Sequence, residues 1–324
     1  MVTADGMEKP ESVLFHIKAP SSEEGTSALH SACLLREVGG GTGVRLVAAP
    51  HINVSSAARQ PIRLRVAIPF DPQAYSRGYA LRTVLPSFTH NVAISIYTGT
   101  TFSTFSLSSS DAPIRVSGVN TETLRLNTSH APITLVQSAI SGTAELTNHN
   151  GSILVGNATG LHNLEHQKTA SRLIMRTTDA PLNATIHLVA SPYHIPSFSL
   201  HARTSGPDAP LFFDVPSMST TLMSTVALSA NTDGAPATVE LPPAFEGQFV
   251  VRGAVPAVFV RKDPEDPYGL RRTRKTTVSM VGENGMIATG SARWYPKHPL
   301  AGDVSVEDGF VNVTAVGSAA SLNL

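Results

Sequence analysis

The chain has 324 residues, with 24 Lys and Arg against 24 Asp and Glu, 41% hydrophobic residues and 15% charged ones. A formal net charge of zero removes the long-range field with which nucleic-acid and anionic-membrane binders draw in their partners. No stretch approaches the length of apolar sequence that a membrane span needs, and a single cysteine, Cys33, excludes an internal disulfide framework.

Residues 1–60 show no sustained hydrophobic period and read as a largely irregular N-terminal region, with one strand at 44–47. The GGGTG at 39–43 lacks the downstream Lys and the strand-turn-helix setting of a phosphate-binding loop. The opening MVTADGMEKP lacks the basic and then apolar regions of a signal peptide.

A β-rich repeat domain is expected over 61–260. Strand runs begin at Ile62 (IRLRVAIPF) and cover 91–97. From 92 to 241 one phrase recurs: SLSSSDAPIRV, RLNTSHAPITL, ELTNHNGSILV, MRTTDAPLNATI, HARTSGPDAPLFFDV and LSANTDGAPATVEL. The small residue of each turn, Ala112, Ala131, Gly151, Ala180, Ala209 and Ala235, marks intervals of 19, 20, 29, 29 and 26 residues. The short interval is the unit; the longer ones carry an insertion, visible as the polar GLHNLEHQKTAS at 160–171.

Within a unit apolar and polar residues alternate, as in Ile114 and Val116 against Arg115, so each copy has one dry face and one wet face. No copy buries enough surface alone, so copies must stack or pair. The pattern predicts an all-β fold: a single-chain β-solenoid of short strand-turn-strand units or, alternatively, a β-sandwich of consecutive hairpins. Pro113, Pro132, Pro181 and Pro210 cannot donate a ladder hydrogen bond and belong at the first residue of a strand or at a bend, which favours recurring corners. Asn150-Gly151 is the exception, a strong signal for a hairpin turn.

Beyond the repeats, 248–260 reads as one or two strands and 261–275 as a charged Pro-containing loop. The segment 276–324 reads as C-terminal β repeats continuing the same domain, through TTVSMVGENGMIATG and GDVSVEDGFVNVTAV.

Candidate chemistry is sparse. Asp111, Asp179, Asp208 and Asp233 recur beside the turn, where a carboxylate ladder would bind Ca²⁺; His130 and Asn150 take the matching place in two units, and Asp in such a place caps its own backbone. Carboxylates spaced as glycoside hydrolysis requires, Asp303 with Glu307 and Asp208 with Asp214, occur without an aromatic-rich groove, Trp294 being the only Trp. No G-x-S-x-G singles out a nucleophilic Ser. His162 and His166, with Glu165 between them, would ligate a metal only on a helix, and Asn163 stands where the zincin pattern needs Glu. The run RRTRK at 271–275 is the densest positive patch and suits phosphate or a sulfated glycan, but Asp263, Glu265 and Asp266 offset it and no aromatic interleaves for base stacking. No catalytic, cofactor-binding or metal-ligating residue is assigned, and neither a cofactor nor nucleic acid is expected.

Six N-x-S/T triplets, at Asn53, Asn127, Asn150, Asn157, Asn183 and Asn312, stand among thirteen Asn. Chance at this Ser and Thr content supplies about two or three. They point to a glycoprotein at the cell surface or outside the cell if an upstream segment is missing from this sequence; otherwise the chain reads as cytoplasmic.

The phrase T/S-x-D/H/N-A/G-P/S-I-x-V, preceded by L-x-L-x-T/S, resembles the adhesin-like β-solenoid domains of unknown function found in bacterial proteins and in uncharacterised cell-surface proteins of basidiomycete fungi. The resemblance covers 92–241 and extends to 276–324. In the fungal proteins a cytoplasmic tail and one membrane span often precede the repeats, and this chain carries no such span. The resemblance brings no catalytic residues. It implies a non-enzymatic surface or scaffold domain that contacts glycans or other surface proteins through its Ser, Thr and Asn. The alternative is a polysaccharide-acting enzyme or lectin using a solenoid groove.

Overall fold

The computed structural model describes residues 79–324 except 86–87, 95–100, 157, 165–168, 192–195, 220–223, 263, 283–285 and 296–308, together with the backbone of four earlier strands. These four are β1 (Leu14–Lys18), β2 (Leu29–Arg36), β3 (Thr42–Ala48) and β4 (Arg63–Ala67). They pair antiparallel, β1 with β4 and β2 with β3. They lie in one compact unit, Met1–Gln73, and Ala74–Leu324 is the other. Among the described residues three strands thus lie within 1–60, where one was expected; LFHIK and LHSACLLR are too short and mixed in polarity for alternation to mark them.

The second unit winds through short strands in chain order. The first four repeats have two strands each: β5 (Tyr79–Val84) and β6 (His90–Ala93), β7 (Thr101–Ser108) and β8 (Ile114–Ser117), β9 (Asn120–Thr128) and β10 (Ile133–Val136), β11 (Ala139–Asn148) and β12 (Ile153–Val155). The next three have three each: β13 (Gly160–Asn163), β14 (Ser171–Thr178) and β15 (Leu182–Thr185); β16 (His187–Ala190), β17 (Ser197–Ser205) and β18 (Leu211–Asp214); β19 (Met218–Ser219), β20 (Thr225–Asp233) and β21 (Ala237–Glu240). Then come β22 (Gly247–Phe259), β23 (Thr273–Val281), β24 (Ile287–Tyr295) and β25 (Gly309–Asn323).

Equivalent strands of successive repeats pair in parallel. The long strands form one ladder, β5-β7-β9-β11-β14-β17-β20. The strands after the Ala-Pro corner form a second, β6-β8-β10-β12-β15-β18-β21. A third joins the first residues of β11 to β13, β16 and β19. The outcome is all-β, with a large and mostly parallel sheet of 21 strands. Its antiparallel pairs are β22–β24 and β23–β24. The longer repeat intervals arise where β7, β9 and β11 are replaced by two separate strands with a loop between, as at β13 and β14.

In-register stacking follows from the repeat itself, because every apolar residue meets its equivalent one repeat on. Ile114, Ile133, Ile153, Leu182 and Leu211 form one column, each 0–2% exposed. Cutting any of them to Ala removes about 2–5 kcal/mol. The prolines sit just before the second-ladder strands, as bends. Their missing N–H costs no ladder bond, while their carbonyls accept from the preceding repeat, as in Ile114 N to Pro132 O at 3.0 Å and Leu182 N to Pro210 O at 3.0 Å. Asn150-Gly151 makes the same corner and not a hairpin: β12 pairs in parallel with β10 and β15. The cause is Asn148, whose Nδ2 donates to Ala131 O at 2.8 Å and whose Oδ1 accepts from Gly151 N at 3.0 Å. A Cβ at Gly151 would meet that Nδ2 at 2.5 Å, so this corner has Gly where the others have Ala.

The strand order is non-sequential at one place. β22 pairs in parallel with β25 and antiparallel with β24, and β25 pairs in parallel with β20 and β21. The C-terminal strand therefore lies between the last repeat and β22, while β23 and β24 form a hairpin at the margin.

Candidate functional site

The corner next to the Ala-Pro bend is a structural device. Ser109, Thr128, Asn148, Thr177, Thr204 and Thr232 are buried at the ends of successive long strands. Thr128 Oγ1 donates to Ser110 O at 3.2 Å, Thr177 Oγ1 to Gly151 O at 2.9 Å, Thr204 Oγ1 to Ala209 O at 2.6 Å and Thr232 Oγ1 to Ala235 O. These bonds give partners to corner carbonyls, and Ser110 O accepts from the N–H groups of Ser129 and His130 as well. Asp111, Asp179, Asp208 and Asp233 stand outside this row, exposed. Asp111 Oδ1 meets His130 Nδ1 at 3.1 Å, a surface pair, and Asp179 takes a left-handed φ of 54° that Asp tolerates. Among the described residues no group of three or more His, Cys, Asp and Glu is placed to hold a metal ion.

Of the spaced carboxylates, Asp303 and Glu307 lie outside the described residues. Asp214 has a different neighbour from the one expected: it stands opposite Glu240 on the next parallel strand, while Asp208 remains at the corner. Burial pushes the Asp214 carboxyl above the usual range, the Glu240 charge adds to it, and His187 opposes both. Glu240 Oε1 accepts from Asn323 Nδ2 at 3.0 Å. The two residues stand on adjacent strands about 4.8 Å apart along the stack, close enough for one charge to bear on the other.

The outward face of the first ladder is basic. Arg125 faces Glu145, Arg172 faces Thr143, and Arg176 faces Thr147 on one side and Arg203 on the other. His201, two residues from Arg203 on the same face, stands against the buried Ile174. Arg125, Arg172, Arg176, His201 and Arg203 are all exposed. Ion pairs among the described residues join His130 to Asp111 and Arg272 to Glu246 and Asp266, so none involves these side chains.

The RRTRK run enters β23 and splits by strand alternation. Arg271 and Lys275 are exposed; Arg272 and Arg274 turn toward Trp294. Arg272 Nη2 bonds Asp266 Oδ1 at 3.0 Å, its Nη1 bonds Glu246 Oε1 at 3.1 Å, and its guanidinium lies over the rings of Tyr268 at 5.1 Å and Trp294 at 5.4 Å. Trp294 Nε1 donates to Pro243 O at 2.8 Å and its N–H to Glu246 Oε2 at 3.2 Å. This cluster pins the β23–β24 hairpin and leaves Arg272 no capacity for an anion.

His162 is in β13 opposite Val189, on a strand and not a helix, and burial holds its imidazole below the usual value. Glu165 and His166 lie outside the described residues, as do Asn53 and Asn157. Asn127, Asn150 and Asn183 are exposed, and Asn312 is half-buried with its Oδ1 accepting from Arg252 Nη1 at 3.1 Å. Among the described residues no helix is long and apolar enough to cross a membrane.

No protein-family model matches the chain, no curated protein matches it, and no solved structure matches it.

The basic row and the Asp214–Glu240 pair escaped the sequence reading, although the repeats carry both. Counting five residues on from Ala209 and Ala235 reaches Asp214 and Glu240, and one residue back from Thr177 and Thr204 reaches Arg176 and Arg203.

Proposed function

We propose that the Ala74–Leu324 unit is a single-chain β-solenoid that binds linear polysaccharide along the outward face of its long strands, as a lectin-like surface module. The observation that carries the reading is the in-register row of exposed or half-buried polar residues, such as Asn127, Thr147, Arg176, Arg203 and Asn231, repeated one strand spacing apart. A flat wet row of donors and acceptors at about 4.8 Å intervals suits an extended ligand with a periodic array of hydroxyls. The parallel pairing of equivalent strands supports the coil; the displaced position of β25 suits a closed or two-layered sheet as well. Exposure of Asn127, Asn150 and Asn183 is compatible with oligosaccharide attachment and so with a surface location. The test is a glycan array probed with the full chain: retention of plant or fungal wall polysaccharides supports the reading, and an empty array removes it.

A second reading rests on Asp214 and Glu240. A carboxyl held above its usual range beside a carboxylate is a pairing that glycosyl transfer to water uses, and it stands on the second ladder and not on the long-strand face, so any cutting would take place there. Product analysis on any array hit, with Asp214→Asn as the comparison, separates cutting from binding.

A further inference from the structure

We propose that Arg172, Arg176 and Arg203, with His201, form a binding site for an anionic polysaccharide, its sulfate or carboxylate groups received by the guanidiniums. This rests on the polysaccharide-binding reading and names the ligand's charge.

Arg176 and Arg203 are direct cross-strand partners in a parallel pair, and Arg172 lies four residues back from Arg176 on the same face. The three charges thus span about 4.8 Å along the stack and about 13 Å along a strand. Like charges placed opposite one another destabilise a sheet, and no ion pair among the described residues offsets these. The nearby acids on this face are Glu145, opposite Ile174 and Arg125, and Asp233, opposite Ser205, and neither forms an ion pair with any of the three. The corner acids Asp179 and Asp208 lie beyond the ends of the strands. The field is felt locally: the His201 imidazole is held below its usual value first by burial and then by the charges of Arg172 and Arg176. Its Nε2 lies 3.1 Å from Ser199 Oγ.

In a chain of zero net charge this is a segregated positive patch, complementary to a polyanion. Guanidinium forks match sulfate and carboxylate in bidentate fashion. The neighbours on the face are Thr143, Thr147, Ser199, Ser229 and Asn231, which suit sugar hydroxyls. No aromatic interleaves to stack a base, and no exposed large apolar side chain lies among these residues to enter a lipid surface.

Calorimetry on the full chain with dextran sulfate, polygalacturonate, neutral dextran and oligo-dT tests this. Dextran sulfate or polygalacturonate should bind, with the stronger of the two identifying the anionic group, and salt should weaken both. In Arg172→Gln/Arg176→Gln/Arg203→Gln affinity should fall at least about tenfold with an unchanged or raised melting temperature, and the corresponding triple Lys variant should retain part of it. Arg271→Gln/Lys275→Gln should bind as the parent does. Equal polyanion affinity in the Gln variant overturns the site, and oligo-dT binding as tightly as dextran sulfate overturns the ligand class. If array polysaccharides of neutral charge bind and the polyanions do not, the charge assignment falls while the polysaccharide reading stands; if nothing binds, both fall.

Discussion

Thr204 donates its hydroxyl to the carbonyl of Ala209 across the corner between β17 and β18, at 2.6 Å and with no solvent exposure. Removing the hydroxyl while keeping the shape leaves a carbonyl without that partner in a dry corner. Thr204→Val should therefore lower stability by about 1–3 kcal/mol, and Thr204→Ser should recover most of it. Urea denaturation of the three proteins measures this; a Val variant as stable as the parent would mean the corner is held by packing alone.

Asp214 beside Glu240 gives a pH-dependent term of definite sign. The folded-state value of Asp214 lies above its unfolded one, so the stability it brings is complete below the ordinary Asp range and is lost as pH rises through the raised value. Asp214→Asn should melt higher than the parent at neutral pH, by roughly 0.2–1 kcal/mol, because it removes a half-buried charge and with it the repulsion from Glu240, with the gap closing on acidification. A gap that widens toward acid would refute the repulsion.

His90 occupies the place that Ile114 and Ile133 take in the following repeats, is buried, and lacks a well-formed hydrogen bond at either ring nitrogen. Burial holds it below the usual value, and the backbone of Phe88 compensates only in part. The associated stability is full above the ordinary His range and is lost as pH falls through the depressed value. His90→Ile should raise stability by about 1–3 kcal/mol at neutral pH and flatten the acid slope below it. Thermal melts from pH 7 downward would show the two curves converging, and not diverging, if this account is wrong.

Asp266 behaves oppositely. Burial alone would raise its carboxyl, but hydrogen bonds from the Arg272 side chain and from the N–H groups of Arg272 and Tyr268, with the Arg272 charge, hold it at about 2. Its contribution is present above the ordinary Asp range and disappears as pH falls toward that value. Asp266→Asn should cost on the order of 1 kcal/mol at neutral pH after solvent screening and nothing at the acid end. Arg272→Lys should also destabilise the hairpin, because an ammonium cannot bond Asp266 and Glu246 in a fork while stacking on Trp294. Trp294 fluorescence as a function of pH reports both.

The repeat phrase made the β class and the unit length legible, because alternation and Ala-Pro spacing are local signals; of the insertion expected over 160–171, Gly160–Asn163 is instead strand β13, paired with β11 and β16. The fate of Asn150-Gly151 was not legible: a turn dipeptide has no knowledge of Asn148, whose side chain supplies the bonds a hairpin would have made. Nor was the sorting of Arg271, Arg272, Arg274 and Lys275 into two exposed and two inward residues, which depends on where β23 begins and on Trp294 and Glu246 far along the chain. Asp214 with Glu240, and Arg176 with Arg203, were present as repeat offsets. They stayed hidden because the turn Asp residues, more regular in sequence, drew attention to a corner whose chemistry belongs to the backbone.

The place of β25 sets an order on the birth of the molecule. A nascent chain leaving the ribosome can add each strand to the one made before it as far as β21. β22 follows, yet its sheet partners, β24 and β25, have not been made. Until 309–323 emerges, β20 and β21 present a bare parallel edge and β22 waits without a ladder, the condition in which strands recruit neighbouring chains. The growing end is thus sealed by insertion and not by addition, and interruption of synthesis before residue 309 would release a template for assembly.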